Sequence, residues 1–285
     1  MSKIAISSDS TCGISQARAK ELGIFVLPLN VIVDEVEYHD GIDIDGPSLN
    51  DKMRAGGKIK TSTPTLYEIE MYFNDIFAQG YDEVIHFTIS SQLSSMFDLF
   101  TVHCEQFFGN KVHVIDSLGA ATLQETLVLS AKNMLDMGKS IEEINTYIEE
   151  NKADYILYFI PESLTYLKNG GRIKPVVAAV GNLIGMKPVL RFKDGAIEKE
   201  ATTRNFKKTI ALLMAYLATL NFSPEKYQMV IFYFGTSHEW IDSARKAIEL
   251  HLEDFTITEA PLAINVAAHS GPGTIGVGLV RLPVR

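Results

Sequence analysis

The chain has 285 residues, 46% of them apolar and 21% charged, enough to bury a substantial core and more than one average domain needs. Its net charge of -9 at pH 7 argues against non-specific binding to nucleic acid or anionic membrane, because both require basic patches that offset phosphate. Cys12 and Cys104 lie far apart in no metal-ligand spacing; free thiols in a reducing compartment fit best, so a cytoplasmic location is expected.

The amino end enters a strand-like K-I-A-I-S with no basic segment and apolar core of a signal peptide. Ile4 to Ser8 reads as a buried strand running into Asp9-Ser10-Thr11, and α/β sheets bind ligands at such carboxyl ends, which makes Asp9 and Ser10 pocket candidates. Ile24 to Val33 is a second β-rich run, interrupted by Pro28. The acidic segment Asp34 to Asp51 reads as loop followed by a helix from Pro47, its carboxylates solvated.

The stretch Lys60 to Thr65, K-T-S-T-P-T, precedes an amphipathic helix through Leu66, Ile69, Tyr72, Phe73 and Ile76. Pro64 disfavours the helical region for Thr63, Thr65 caps the helix, and Glu68 completes a capping box. Free N–H groups at such a helix start, beside the hydroxyls of Thr61, Ser62 and Thr63, suit a carboxylate or phosphate without any full positive charge. A plain N-cap is the competing reading.

Val84 to Ser90 is a strand that again ends in hydroxyls, Ser90-Ser91-Gln92-Leu93-Ser94-Ser95, ahead of a helix through Phe97, Phe100 and Phe107. Val112 to Asp116 repeats the pattern, with a long helix from about Leu118 to Met137. Strands alternating with helices predict a parallel sheet. Tyr155 to Ile160 is read as the strand closing this unit, which places a domain boundary near residue 160. The expectation is an α/β protein of two domains: residues 1–160 with a parallel sheet, residues 161–285 smaller and α+β, and a ligand between them.

In the second part, Leu164 to Arg172 ends a helix at Gly170-Gly171, and Pro175 starts an apolar helix rich in Ala and Gly. Asp194-Gly195 marks a type I′ hairpin between Val189–Lys193 and Ala196–Glu200. A helix from Arg204, a strand at Met229 to Phe234, a helix at Ile241 to Leu252 and strands near Phe255 to Glu259 and Gly276 to Leu282 complete it. The apolar stretch Ile210 to Phe222 is too short to span a bilayer, which takes about 20 residues.

Gly271, Gly273 and Gly276 spell G-x-G-x-x-G, but the motif leads into a strand and leaves no room for a ribose-binding acid, so a dinucleotide site is rejected. What remains is a stiffened turn, Ala268 to Thr274, offering backbone N–H groups such as that of Gly273, and the imidazole of His269 between a strand and Gly-Pro-Gly. Ser94, His269 and Asp9 supply the side-chain types of a hydrolase triad, yet no G-x-S-x-G elbow surrounds any serine. There is no P-loop, no H-E-x-x-H and no metal-ligand spacing. Many neutral donors without an obvious catalyst favour a protein that binds an anionic head group, with no cofactor and no metal.

Together, Asp9-Ser10-Thr11, Thr61-Ser62-Thr63-Pro64, Leu93-Ser94, Gly170-Gly171-Arg172-Ile173, Arg204 and His269 to Gly276 resemble, in order and over the whole chain, the DegV family of bacterial fatty-acid-binding proteins. The resemblance implies two α/β domains holding one long-chain fatty acid, carboxylate on hydroxyls and tail buried. It also implies a carrier subunit that is not itself an enzyme: a separate fatty acid kinase phosphorylates the bound carboxylate with ATP, and the acyl phosphate feeds phospholipid synthesis. By position, Thr61 and Ser94 match the family's carboxylate ligands and His269 its H-x-G-P-G histidine. Arg204 matches an arginine associated with the kinase partner, and Arg172 the G-G-R arginine. Thr63 stands where the family has glutamine, and Ser95 and Met96 where it has glycine and threonine. The tail surface is expected from residues such as Val177, Val180, Ile184 and Ile264, and transient membrane contact belongs to the same reading. The alternatives are a serine-type esterase built on Ser94 and His269, and a small-molecule sensor domain.

Overall fold

The computed structural model describes residues 2–173 and 186–285; the expected Ala/Gly helix after Pro175, with Val177, Val180 and Ile184, lies outside the described residues. Strands β1 (Ile4–Asp9), β2 (Ile24–Leu27), β6 (Glu83–Thr88) and β7 (Val112–Asp116) pair in parallel in the order β2-β1-β6-β7. All of β1 after Ile4 and all of β6 after Glu83 are buried, as strands covered on both faces must be. One face packs Ile6, Ile85 and Phe87 against Leu127, Val128 and Ala131 of α5 (Thr122–Asp136) and Ile144 and Ile148 of α6 (Ile141–Asn151). The other packs Ala5 and Val84 against Ile69, Phe73 and Ile76 of α3 (Leu66–Ala78) and Phe100 of α4 (Met96–Phe108). The predicted capping box closes α3: Thr65 Oγ1 accepts from Glu68 N at 3.2 Å, and the Glu68 carboxylate accepts from Thr65 N at 2.6 Å.

A six-stranded mixed sheet follows the order β10-β9-β8-β13-β11-β12. Its strands are β8 (Tyr155–Ile160), β9 (Lys187–Lys193), β10 (Ala196–Thr203), β11 (Tyr227–Phe234), β12 (Ile257–Pro261) and β13 (Thr274–Arg281). Only β11 and β12 run parallel. Helices α8 (Phe206–Ala218) and α9 (His238–His251) bury one face over Met229, Ile231, Val277 and Leu279. The hairpin between β9 and β10 turns at Asp194 (φ 49°) and Gly195 (φ 79°), the type I′ signature.

Several expectations change. Tyr155–Ile160 does not close the parallel sheet: β8 pairs with β13 and β9, and the parallel sheet ends at β7. The run Ile24–Val33 is two strands in different sheets, because Pro28 breaks it. β3 (Asn30–Val33) joins β4 (Val36–His39) and β5 (Ile59–Ser62) in a small antiparallel sheet ordered β4-β3-β5. The acidic segment is therefore partly strand, and Asp40 is buried instead of solvated, accepting from Ser10 Oγ at 2.9 Å and Asn265 N at 3.2 Å. α8 starts at Phe206, with Asn205 and not Arg204 at its cap. The remaining helices are α1 (Gln16–Leu22), α2 (Gly46–Arg54), α7 (Thr165–Asn169) and α10 (Ile264–Ser270), of which α1 and α10 were unforeseen.

Candidate functional site

The carboxyl ends of β1 and β6 face the second sheet across a cavity of about 130 Å³. Its walls are mainly apolar, from Leu157, Phe159, Phe192, Ile197, Phe232 and Leu262. At the polar part stand Thr61, Ser62, Thr63, Ser94, Arg172 and His269, so these six residues singled out from sequence line one cavity.

Each is placed by a local device. Thr61 and Ser62 end strand β5, and Thr63 and Pro64 form the step into α3. Ser94 lies in the turn before α4; its N–H donates to Ser90 O at 3.1 Å and its hydroxyl accepts from Met96 N at 3.3 Å. His269 occupies the last turn of α10, not a strand end, and its Nε2 is 2.8 Å from Thr61 Oγ1. This bond crosses from the small sheet to α10. Gly170 lies flat against the ring: a Cβ there would sit 2.2 Å from His269 Nδ1. Burial, with the Arg172 charge second, lowers the His269 pKa to about 4, so the imidazole is neutral at pH 7.

Arg172 is the main departure from a site of neutral donors. It is half-buried in the cavity wall, donates Nε to Leu93 O at 3.0 Å and Nη1 to Gly170 O, and so ties the Ser94 turn to the glycine under His269. Burial lowers its pKa from the ordinary 12.5, which leaves a guanidinium charged at neutral pH.

Asp9 and Ser10 do not reach the cavity; Thr11 does. The Asp9 carboxylate is fully buried and accepts from Thr11 N at 2.9 Å, the Thr11 hydroxyl, Ile89 N at 2.7 Å and Gln124 Nε2 at 3.2 Å. Burial pushes its pKa up, against the pull of those donors. Asp9 thus fixes the wall: Thr11 O in turn accepts from Ala121 N at 2.7 Å. No hydrogen bond joins Ser94, His269 and Asp9 among the described residues, because each is engaged elsewhere. Gly273, at φ 78°, donates its N–H to Phe234 O at 2.9 Å and packs on Glu162, outside the cavity wall. Arg204 is exposed, also outside the wall. Ile264 is core, and its neighbours Asn265 and Val266 line the cavity instead. The wall residues Phe159, Phe192 and Phe232 escaped the sequence reading because a buried strand shows no alternation that marks its ligand face. Among the described residues no cluster of three His, Cys, Asp or Glu could hold a metal. No helix there is long and apolar enough to cross a membrane.

The family model described as "Uncharacterised protein, DegV family" matches residues 3–282. A DegV domain-containing protein of Mycoplasmopsis pulmonis is 28% identical over 287 residues, covering 98% of this chain and 96% of its own. A solved structure described as fatty acid binding of a DegV family protein from Thermus thermophilus superposes with a TM-score of 0.87 at 27% identity, covering 98% of this chain and all of that one. A stearic acid-binding protein from Eubacterium ventriosum superposes at 0.80 with 28% identity, covering 99% and 98%.

Proposed function

This chain belongs to the DegV family, and we propose that it binds one long-chain fatty acid between its two large sheets. The observation that carries the reading is one cavity with apolar walls and a polar part built from Thr61, Ser94, His269 and Arg172. A chain of about 16 methylenes gains on the order of 0.8 kcal/mol for each one buried, about 13 kcal/mol before ordering and association costs, which leaves ample affinity. The carboxylate sits on the Thr61 and Ser94 hydroxyls beside the imidazole, with Ser62 and Thr63 near the mouth and the Arg172 charge behind it. The relatives from Thermus thermophilus and Eubacterium ventriosum, described as binding fatty acid and stearic acid, support the ligand class.

In the finer reading the protein is a cytoplasmic carrier with no catalytic residue of its own. It presents the carboxylate to a separate ATP-dependent kinase, which makes an acyl phosphate for phospholipid synthesis. Arg204, exposed ahead of α8 and outside the cavity wall, is the residue proposed to meet that partner. Native mass spectrometry of the purified protein tests the ligand directly: one bound mass in the fatty acid range is expected. A preparation that carries no lipid and takes up neither added oleate nor palmitate would overturn the reading.

A further inference from the structure

The cavity face of the six-stranded sheet holds a gap in its side-chain rows. On β13, Gly276 and Gly278 are two residues apart and so share one face. Gly276 is paired with Phe159 of β8 on one side and Phe232 of β11 on the other. Neither glycine has a left-handed backbone, so nothing in φ demands glycine at either position. Space does. A Cβ at Gly276 would stand 2.0 Å from Cζ of Phe232 and 2.5 Å from both Cε atoms. The tip of the ring therefore occupies the place where a side chain at 276 would begin, and the ring lies down across the ladder instead of standing into the cavity. Phe159 closes from the other side, its ring centroid 6.4 Å from that of Phe232. Both phenylalanines line the cavity.

We infer that Phe232 laid on Gly276 sets the depth of the cavity and so selects which acyl chains it accepts. The inference rests on the fatty acid reading proposed above. A side chain at 276 leaves the ring one direction of escape, because β13 backbone lies beneath it and the cavity lies above. The ring end is movable where the backbone is not, so the response to a methyl at 276 is a ring tilted into ligand space. Shortening Phe232 does the reverse and deepens the cavity without asking any neighbour to move. Each buried methylene is worth about fourfold in affinity, so a change of depth by two carbons is read as roughly fifteenfold.

The experiment measures affinities of the full-length protein for saturated fatty acids of 12 to 20 carbons and for cis-unsaturated 18-carbon acids. Wild type, Phe232→Leu, Gly276→Ala and the double variant are compared. Phe232→Leu is expected to move the optimum to longer or bent chains, by about tenfold in relative affinity. Gly276→Ala is expected to penalise the longest chains most, and adding Phe232→Leu to it returns the profile toward wild type. If Gly276→Ala does not fold, Phe232→Leu alone decides. An unchanged rank order of chains in a Phe232→Leu protein that still binds overturns this inference and leaves the fatty acid reading intact. Absence of binding in wild type removes both.

Discussion

Replacing Thr61 by Val keeps the shape of the side chain and deletes its hydroxyl, and Ser94→Ala deletes the hydroxyl of the second cavity residue. A hydrogen bond to a charged group is worth about 1.5 to 3 kcal/mol, so each variant is expected to weaken carboxylate binding by roughly 10- to 150-fold. The pair should fall short of the sum, because both hydroxyls serve one carboxylate and the second loss acts on a ligand already displaced. The two differ in stability. Thr61 Oγ1 is the 2.8 Å partner of His269 Nε2, and Thr61→Val leaves that largely buried nitrogen unpaired, at about 1 to 3 kcal/mol of unfolding free energy. The Ser94 hydroxyl accepts only from Met96 N, at 3.3 Å among the described residues, so Ser94→Ala should cost about 1 kcal/mol or less. Calorimetric titration with oleate and with oleyl alcohol, beside urea unfolding of each apo variant, separates the effects. The acid should lose affinity far more than the alcohol. Equal losses for the two ligands would refute the head-group assignment and point to damaged packing.

Arg204→Ala is expected to keep fatty acid binding and melting temperature but lose most acyl phosphate formation with a partner kinase and ATP; a full phosphorylation rate would rule out the docking role. Arg204→Lys should recover little, because an ammonium lacks the planar two-donor fork. A third expectation concerns pH. His86 is fully buried, bonded through Nδ1 to Ser7 Oγ at 2.8 Å with Nε2 unpartnered among the described residues, and burial lowers its pKa to about 3 from 6.5. The unfolded chain thus binds a proton that the folded one refuses, so stability is full above pH 6.5 and drains as pH falls toward 3. His86→Phe, which keeps the ring stacked on Phe100, should remove one proton's worth of slope, about 1.4 kcal/mol per pH unit between pH 6 and 4. Identical slopes from denaturant titrations of wild type and variant would sink that account.

The legible parts of the chain were those whose signal is local. The capping box at Thr65, the type I′ turn at Asp194-Gly195 and the short buried runs of β1 and β6 follow from residues a few positions apart. Strand β4 was hidden because its turn, Asp34-Glu35, takes positive φ at both positions without the glycine that announces such turns. β5 was hidden because I-K-T-S is short, polar and only half-buried. The sheet that β8 joins was beyond reading: an apolar six-residue strand fits either sheet, and its neighbour β13 lies more than a hundred residues away in sequence.

The candidate site shows the same divide between residue type and placement. The hydroxyls of Thr61 and Ser94 were legible as donors at element ends, but the neutral character expected of the site was not the whole of it. Arg172 adds a fixed charge, held by Leu93 O and Gly170 O so that it cannot swing out to solvent without breaking two bonds. Burial, with the field of Arg172 second, depresses the His269 pKa, which keeps the imidazole neutral and free to share its hydrogen bond with Thr61. Arg172 therefore supplies positive potential to the cavity and adds to the burial that keeps His269 from supplying more. In the proposed complex a carboxylate meets attraction strong enough to orient it, yet no imidazolium within hydrogen-bond reach. Under the proposed carrier role that balance suits a ligand held by its head group and still handed on, since full charge pairing in a buried site would make release slow.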